Sequence, residues 1–173
     1  MNTAVTNNKG NHLIEVLVKK FILLLDETDQ TKLTELNNMF SPADCKIIYN
    51  NVPYASAVNF LTMWVNKCPQ TQHVLQLLDC HIIPGLNHAI VNINCKVKFD
   101  ETGYTKLNES ALIQENHVGG LNRRRPIFGS NFGCSIQLVI DANKFLGQKD
   151  QNGVVMSFNY NIVYKPLDSL MQI

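Results

Sequence analysis

The sequence predicts an α+β domain in which amino-terminal helices pack on one face of an antiparallel sheet. Two observations predict it. Up to Val65 the apolar residues recur mostly at helical spacing, and after Cys68-Pro69 they alternate with a period of two. A third observation bears on function. The two last alternating runs, between Phe132 and Pro166, divide into an apolar face and a mildly polar reverse face. The purpose of that reverse face is the question the sequence raises.

The helices come first. Ile14, Leu17, Val18, Phe21 and Leu25 fall at i, i+3, i+4, i+7 and i+11, an amphipathic stripe with Lys19 and Lys20 off it. Burial of each contributes roughly 1.5–3 kcal/mol before conformational entropy is subtracted. The polar residues 1–12, MNTAVTNNKGNH, read as a flexible tail, leaving 13–173 as a single domain. Thr28 or Asp29 caps a second helix near 30–38 that turns Leu33 and Leu36 inward, and Ser41-Pro42 stops it. CKIIYN (45–50) is a short strand candidate. Pro53 opens a third helix with the stripe Tyr54, Ala57, Val58, Leu61, Trp64 and Val65.

The strands follow. HVLQLLDCHII (73–83) ends at a Pro84-Gly85 turn. In AIVNINCKVKF (89–99), Val91, Ile93, Cys95, Val97 and Phe99 share one face, and Asn92, Asn94, Lys96 and Lys98 the other. In CSIQLVID (134–141), Cys134, Ile136, Leu138 and Ile140 oppose Ser135, Gln137, Val139 and Asp141. In the final run Val154, Met156, Phe158, Tyr160, Ile162 and Tyr164 oppose Val155, Ser157, Asn159, Asn161 and Val163. Matched alternation makes one sheet with helices on a single side. Residues 100–126 are polar, contain Gly119-Gly120 and all three arginines of the chain, and read as a long surface loop.

Composition narrows the function classes. A chain of 173 residues with 45% hydrophobic content suits one domain with a sizeable core. A formal net charge of +1 gives no global basic field for nucleic acid. The apolar run from Leu13 to Leu25 is interrupted by Glu15, Lys19 and Lys20 and is too short for a bilayer, so no membrane role is expected. Five cysteines without CxxC spacing read as reduced core hydrophobes, and no clustered ligands suggest a metal or cofactor.

The segments CKIIYNNVPYASAVNFLTMW (45–64), TQHVL (71–75), IPG (83–85), VNINCKVKFDETG (91–103), FGCSIQLVID (132–141) and NGVVMSFNYNIVYKPLDSL (152–170) carry a resemblance. They are similar to the small subunits of the fungal nuclear mRNA export receptor, a family within the nuclear transport factor two-like superfamily. The resemblance implies a curved, cone-like sheet and a noncatalytic protein. It implies pairing, sheet against sheet, with the similar domain of the receptor's large subunit. It further implies a place in the nucleus and at nuclear pores, with shuttling to the cytoplasm, and carriage of ribonucleoprotein cargo past Phe-Gly nucleoporins. The partner face it implies is the mildly polar one: Asn92, Asn94, Lys96, Ser135, Gln137, Val139, Val155, Ser157, Asn159, Asn161 and Val163. Valines among amides suit a wet protein interface.

Other candidates compete with that face. Arg123, Arg124 and Arg125 form either a solubilising loop tip or an auxiliary RNA contact. Three phosphate contacts give a salt slope of about −2, so a fourfold rise in salt costs roughly twentyfold in affinity, too fragile to hold cargo alone. His73, His81 and His88 have no recognised ligand spacing. Asp79 and His81 share a strand face, and with Tyr49 they are the residues a small cone-fold isomerase or dehydratase would use within a pocket. That enzyme is the alternative reading. Gly129 and Gly133 precede an alternating strand rather than a helix, so they suit a bulge or close backbone approach instead of a phosphate cradle.

Overall fold

Ile14, Leu17, Val18, Phe21 and Leu25 form the buried face of the first helix, α1 (Thr3–Asp26), joined by Ile22 and Leu24. The computed structural model describes residues 3–107, 125–169 and 171. Helix α1 starts inside the stretch expected as a tail. No proline interrupts residues 3–12, and extending a nucleated helix adds one hydrogen bond per residue fixed. The early turns also have a surface to lie on. A Cβ at Gly10 would sit 3.4 Å from Leu146 Cδ1 and 3.6 Å from Ile82 Cδ1, ordinary contact distances.

Helix α2 (Gln30–Met39) is capped by Asp29, whose carboxylate accepts the N–H groups of Thr31 and Lys32, and it buries Leu33, Leu36 and Met39. Strand β1 (Lys46–Tyr49) turns through Asn50-Asn51, both at positive φ, into β2 (Val52–Tyr54). Pro53 therefore lies in an edge strand, where a missing N–H is tolerated, and does not open a helix. Helix α3 (Ala57–Asn66) begins later, behind Ser56, whose hydroxyl accepts the Asn59 N–H. Its buried residues are Phe60, Leu61 and Trp64, with Val58 exposed.

The remaining strands are β3 (Thr71–Ile83), β4 (His88–Phe99), β5 (Phe132–Asp141) and β6 (Val155–Tyr164), with a short π-helical turn at Asn143–Gly147 after β5. One sheet runs in the order β2-β1-β6-β5-β4-β3. The run from β3 to β6 is antiparallel, as expected. The β1 strand joins it parallel, pairing Ile47 with Phe158 and Tyr49 with Tyr160. Helices cover one face of this curved sheet, giving an α+β architecture whose core holds Trp64, Tyr160, Phe21, Phe60, Phe99, Phe132 and Phe158. Residue 100 onward is not all surface loop. Asp100, Thr105 and Lys106 are buried, and isolated bridges tie Asp100 to Phe128 and Thr105 to Pro69. Most of the rest of the expected loop, 108–124, lies outside the described residues.

Candidate functional site: the outer face of the sheet

The outer face is built in rows, because each cross-strand pair places its partners on the same side. One row runs Asp79, Asn92, Gln137, Asn159, Ile48, Pro53 from β3 to β2. A second runs Leu77, Asn94, Ser135, Asn161, and a third His81, Ile90, Val139, Ser157, Lys46. A fourth runs Val74, Lys96, Gly133, Tyr164. The amides are tied together locally. Gln137 Nε2 donates to Asn92 Oδ1 at 3.0 Å, and Asn161 Nδ2 donates to Asn159 Oδ1 at 2.8 Å.

Nine of the eleven residues expected on this face lie on it in register: Asn92, Asn94, Lys96, Ser135, Gln137, Val139, Ser157, Asn159 and Asn161. Val163 sits in a bulge between the pairs Gly133–Tyr164 and Cys134–Ile162, and is 67% exposed. Val155 is a correction. A second bulge, at Met156, makes Val155 pair with Ile140 and turns its side chain into the core, where it is 1% exposed. An extra residue in one strand resets the alternation beyond it, and the sequence pattern does not show the insertion. The same effect at Val163 moves Tyr164 from the expected inner row to the outer face, 58% exposed. Gly133 makes this bulge possible, since a Cβ there would stand 3.0 Å from Tyr164 Cβ.

Bulges also explain what the sequence reading missed. Gln76 is extra in β3, so Val74 and Leu77 both face outward, and both are about half exposed. Ile48 joins the face only through the parallel β1–β6 pairing, which local patterning does not reveal. Of the arginines, Arg125 is exposed, while Arg123 and Arg124 lie outside the described residues.

Asp79 and His81 are exposed on the outer face and so do not reach the interior, against the pocket the enzyme reading gives them. The interior histidine is His73. Its Nδ1 lies 2.5 Å from Asp26 Oδ1, its Nε2 lies 2.9 Å from the Tyr160 hydroxyl, and its backbone N–H donates to Asp26 Oδ2 at 2.8 Å. Beside it the Leu25 carbonyl, in the last turn of α1, accepts from Trp64 Nε1 at 3.0 Å and Lys106 Nζ at 2.8 Å, with the Thr71 hydroxyl oxygen 3.3 Å away. Lys106 is 1% exposed, with its ammonium 5.1 Å from the centre of the Trp64 ring, and burial holds its pKa below the ordinary lysine range. Burial likewise pushes the Cys68 and Cys134 thiols up to about 12. Tyr49 lines a cavity of about 410 Å³ with Tyr54, Met63, Phe99 and Met171. Among the described residues no three His, Cys, Asp or Glu side chains are placed to hold a metal ion, and no helix is long and apolar enough to cross a membrane.

Residues 7–173 match the family described as nuclear pore RNA shuttling protein Mtr2. The chain is 44% identical to the mRNA transport regulator MTR2 of Saccharomyces cerevisiae, over 99% of this chain and 97% of that protein. It superposes on Mtr2 in the crystal structure of the Candida albicans Mtr2–Mex67 M domain complex with a TM-score of 0.74 and 30% identity, covering 92% of this chain and 99% of that one. Nuclear transport factor 2 from Cryptosporidium parvum shares the fold alone, with a TM-score of 0.58 at 10% identity over 88% of this chain and 93% of that one.

Proposed function

The chain belongs to the Mtr2 family of nuclear pore RNA shuttling proteins, and on that premise we propose that it is the noncatalytic small subunit of a heterodimeric nuclear mRNA export receptor. Its outer sheet face pairs with the similar domain of the large subunit, and the heterodimer carries ribonucleoprotein through nuclear pores. The observation that carries this reading is the fold placement of that face. Helices cover the inner side of the sheet, while the outer side offers Val74, Leu77, Ile90, Val139 and Tyr164 among amide side chains. The Candida albicans relative was crystallised in a complex with the Mex67 M domain. A stable pairing needs roughly 800 Å² from each partner, which a sheet of this breadth supplies.

The interior supports a noncatalytic role. His73 has both ring nitrogens engaged, by Asp26 and Tyr160, so neither is free for a substrate. Aromatic rings pack much of the remaining core. Phe60 stacks on Trp64 at 5.7 Å, and Phe158 meets Phe60 at 5.2 Å and Phe21 at 5.4 Å.

Co-expression with the large subunit's similar domain tests the pairing. The two chains are expected to co-purify in equal stoichiometry, and Asn159→Arg with Val163→Arg is expected to abolish the complex while the single chain stays folded. Persistence of the complex with both charges in place would show that another face is used. Phe-Gly nucleoporins bind through the assembled heterodimer, which works in the nucleus and at the pore and shuttles to the cytoplasm. Arg123, Arg124 and Arg125 add a weak RNA contact. Replacing all three by Ala is expected to lower heterodimer affinity for single-stranded RNA and to reduce the salt slope by about 2. An unchanged slope would remove the RNA contact and leave the pairing intact.

A further inference from the structure

Beyond β6 the chain folds back onto the domain. Pro166 is buried, and its carbonyl accepts the Ser169 N–H at 3.2 Å. Leu167 is fully exposed. Asp168 reaches the segment before β5, where Ser130 Oγ donates to its carboxylate at 2.6 Å. Lys165 Nζ donates to the Met171 carbonyl, closing the segment on itself, and the Met171 N–H donates to Ser169 Oγ at 3.2 Å.

Met171 is what this segment delivers. It packs against the core and forms part of the wall of the cavity of about 410 Å³, together with Tyr49, Tyr54, Met63, Cys68 and Phe99. Tyr49, Tyr54, Met63 and Phe99 stand near the carboxyl ends of β1, β2, α3 and β4, so one side chain spans four elements. The ties that hold it there are of two kinds. The Lys165 and Asp168 bonds are exposed side-chain bonds, which compete with water and contribute little. The apolar contact is a single half-buried methionine. A segment secured in this way opens at lower cost than the sheet beneath it, whose strands are paired and whose inner face is buried.

We propose that the chain leading to Met171 is a lid hinged at Pro166, which closes the cavity by seating Met171 and uncovers it when the Lys165 and Asp168 bonds release. The chain thereby supplies its own cover for the pocket in which the enzyme reading placed Tyr49. Cys68 reports the state of the lid. It lines the cavity, and a thiol so enclosed reacts slowly until the enclosure opens. Cys95 and Cys134, buried within the sheet, serve as internal references.

Alkylation by iodoacetamide, followed cysteine by cysteine by mass spectrometry, tests it. Ending the chain after Pro166 is expected to speed modification of Cys68 by about tenfold or more while Cys95 and Cys134 keep their original rates. Lys165→Ala with Asp168→Ala retains Met171 and is expected to speed Cys68 by about threefold. If the truncated chain does not fold, this double variant decides by the same comparison. An unchanged Cys68 rate when the bonds or the segment are removed would overturn the lid. An equal rise at all three cysteines would show that the segment holds the whole domain together, and would overturn it as well.

Discussion

Lys106 shows how much one side chain contributes when it is fully enclosed. Its ammonium donates to the Leu25 carbonyl and the Thr71 hydroxyl, both at 2.8 Å, and sits against the Trp64 ring. Hydrogen bonds to a charged group are worth about 1.5–3 kcal/mol, and the aliphatic stem adds packing. Lys106→Ala is therefore expected to lower the unfolding free energy by roughly 2–4 kcal/mol in urea denaturation. Lys106→Met keeps the stem and should recover part of the loss. Equal losses in the two variants would show that packing contributes nothing. Thr71 completes the arrangement, donating to Asp26 Oδ1 at 2.8 Å while accepting from Lys106. None of this was legible in sequence, where Lys106 stands in a polar run and His73 looks like any strand histidine. The partners of Leu25 are 39, 46 and 81 residues away, and no local pattern records such a convergence.

At the scale of elements, the helical stripe of α1, the Asp29 cap and the alternation of β4 and β5 were read correctly, because each is written in residues close together in the chain. The failures share one cause. Single extra residues at Gln76, Met156 and Val163 break the period of two, so Val155 goes inward and Leu77 and Tyr164 come outward. A bulge is a relation between two strands, and one strand's sequence does not contain it. The exception is Gly133, which the sequence marked as suited to a bulge or close backbone approach. Gly133→Ala would press a methyl to 3.0 Å from Tyr164 Cβ, tighter than normal contact. The expected cost is about 1 kcal/mol in stability, with a weakened heterodimer because Val163 and Tyr164 must shift. A variant as stable and as tightly paired as the natural chain would show that the bulge has room to spare.

For the whole molecule, the thiols set the response to alkali. Folded Cys68 and Cys134 hold their protons to about pH 12, against an ordinary 9.0, because burial disfavours the thiolate. A raised folded pKa means the native state binds more protons between those values, so stability falls as pH rises from about 9 to about 12, by about 1.4 kcal/mol per unit for each thiol. Lys106 works the other way, since its lowered folded pKa makes the native state gain as pH climbs toward the ordinary 10.5. The Cys45 and Cys95 thiols, pushed up to about 11, and the buried Tyr49 and Tyr160 hydroxyls act in the same direction as Cys68 and Cys134, so the melting temperature is expected to fall as pH rises above about 9. Cys68→Ser and Cys134→Ser should shallow that drop, and an unchanged slope would point to other groups. The parallel pairing of β1 with β6 has a consequence during synthesis. Asn50 and Ile162, which meet at the end of that pairing, are 112 residues apart. A ribosome therefore completes the β1–β2 hairpin long before β6 exists, and the nascent chain must keep Ile47 and its neighbours from straying meanwhile. Closing so long a loop is slow compared with local helix formation, so α1 to α3 form early and the sheet is sealed by a strand inserted between two already made.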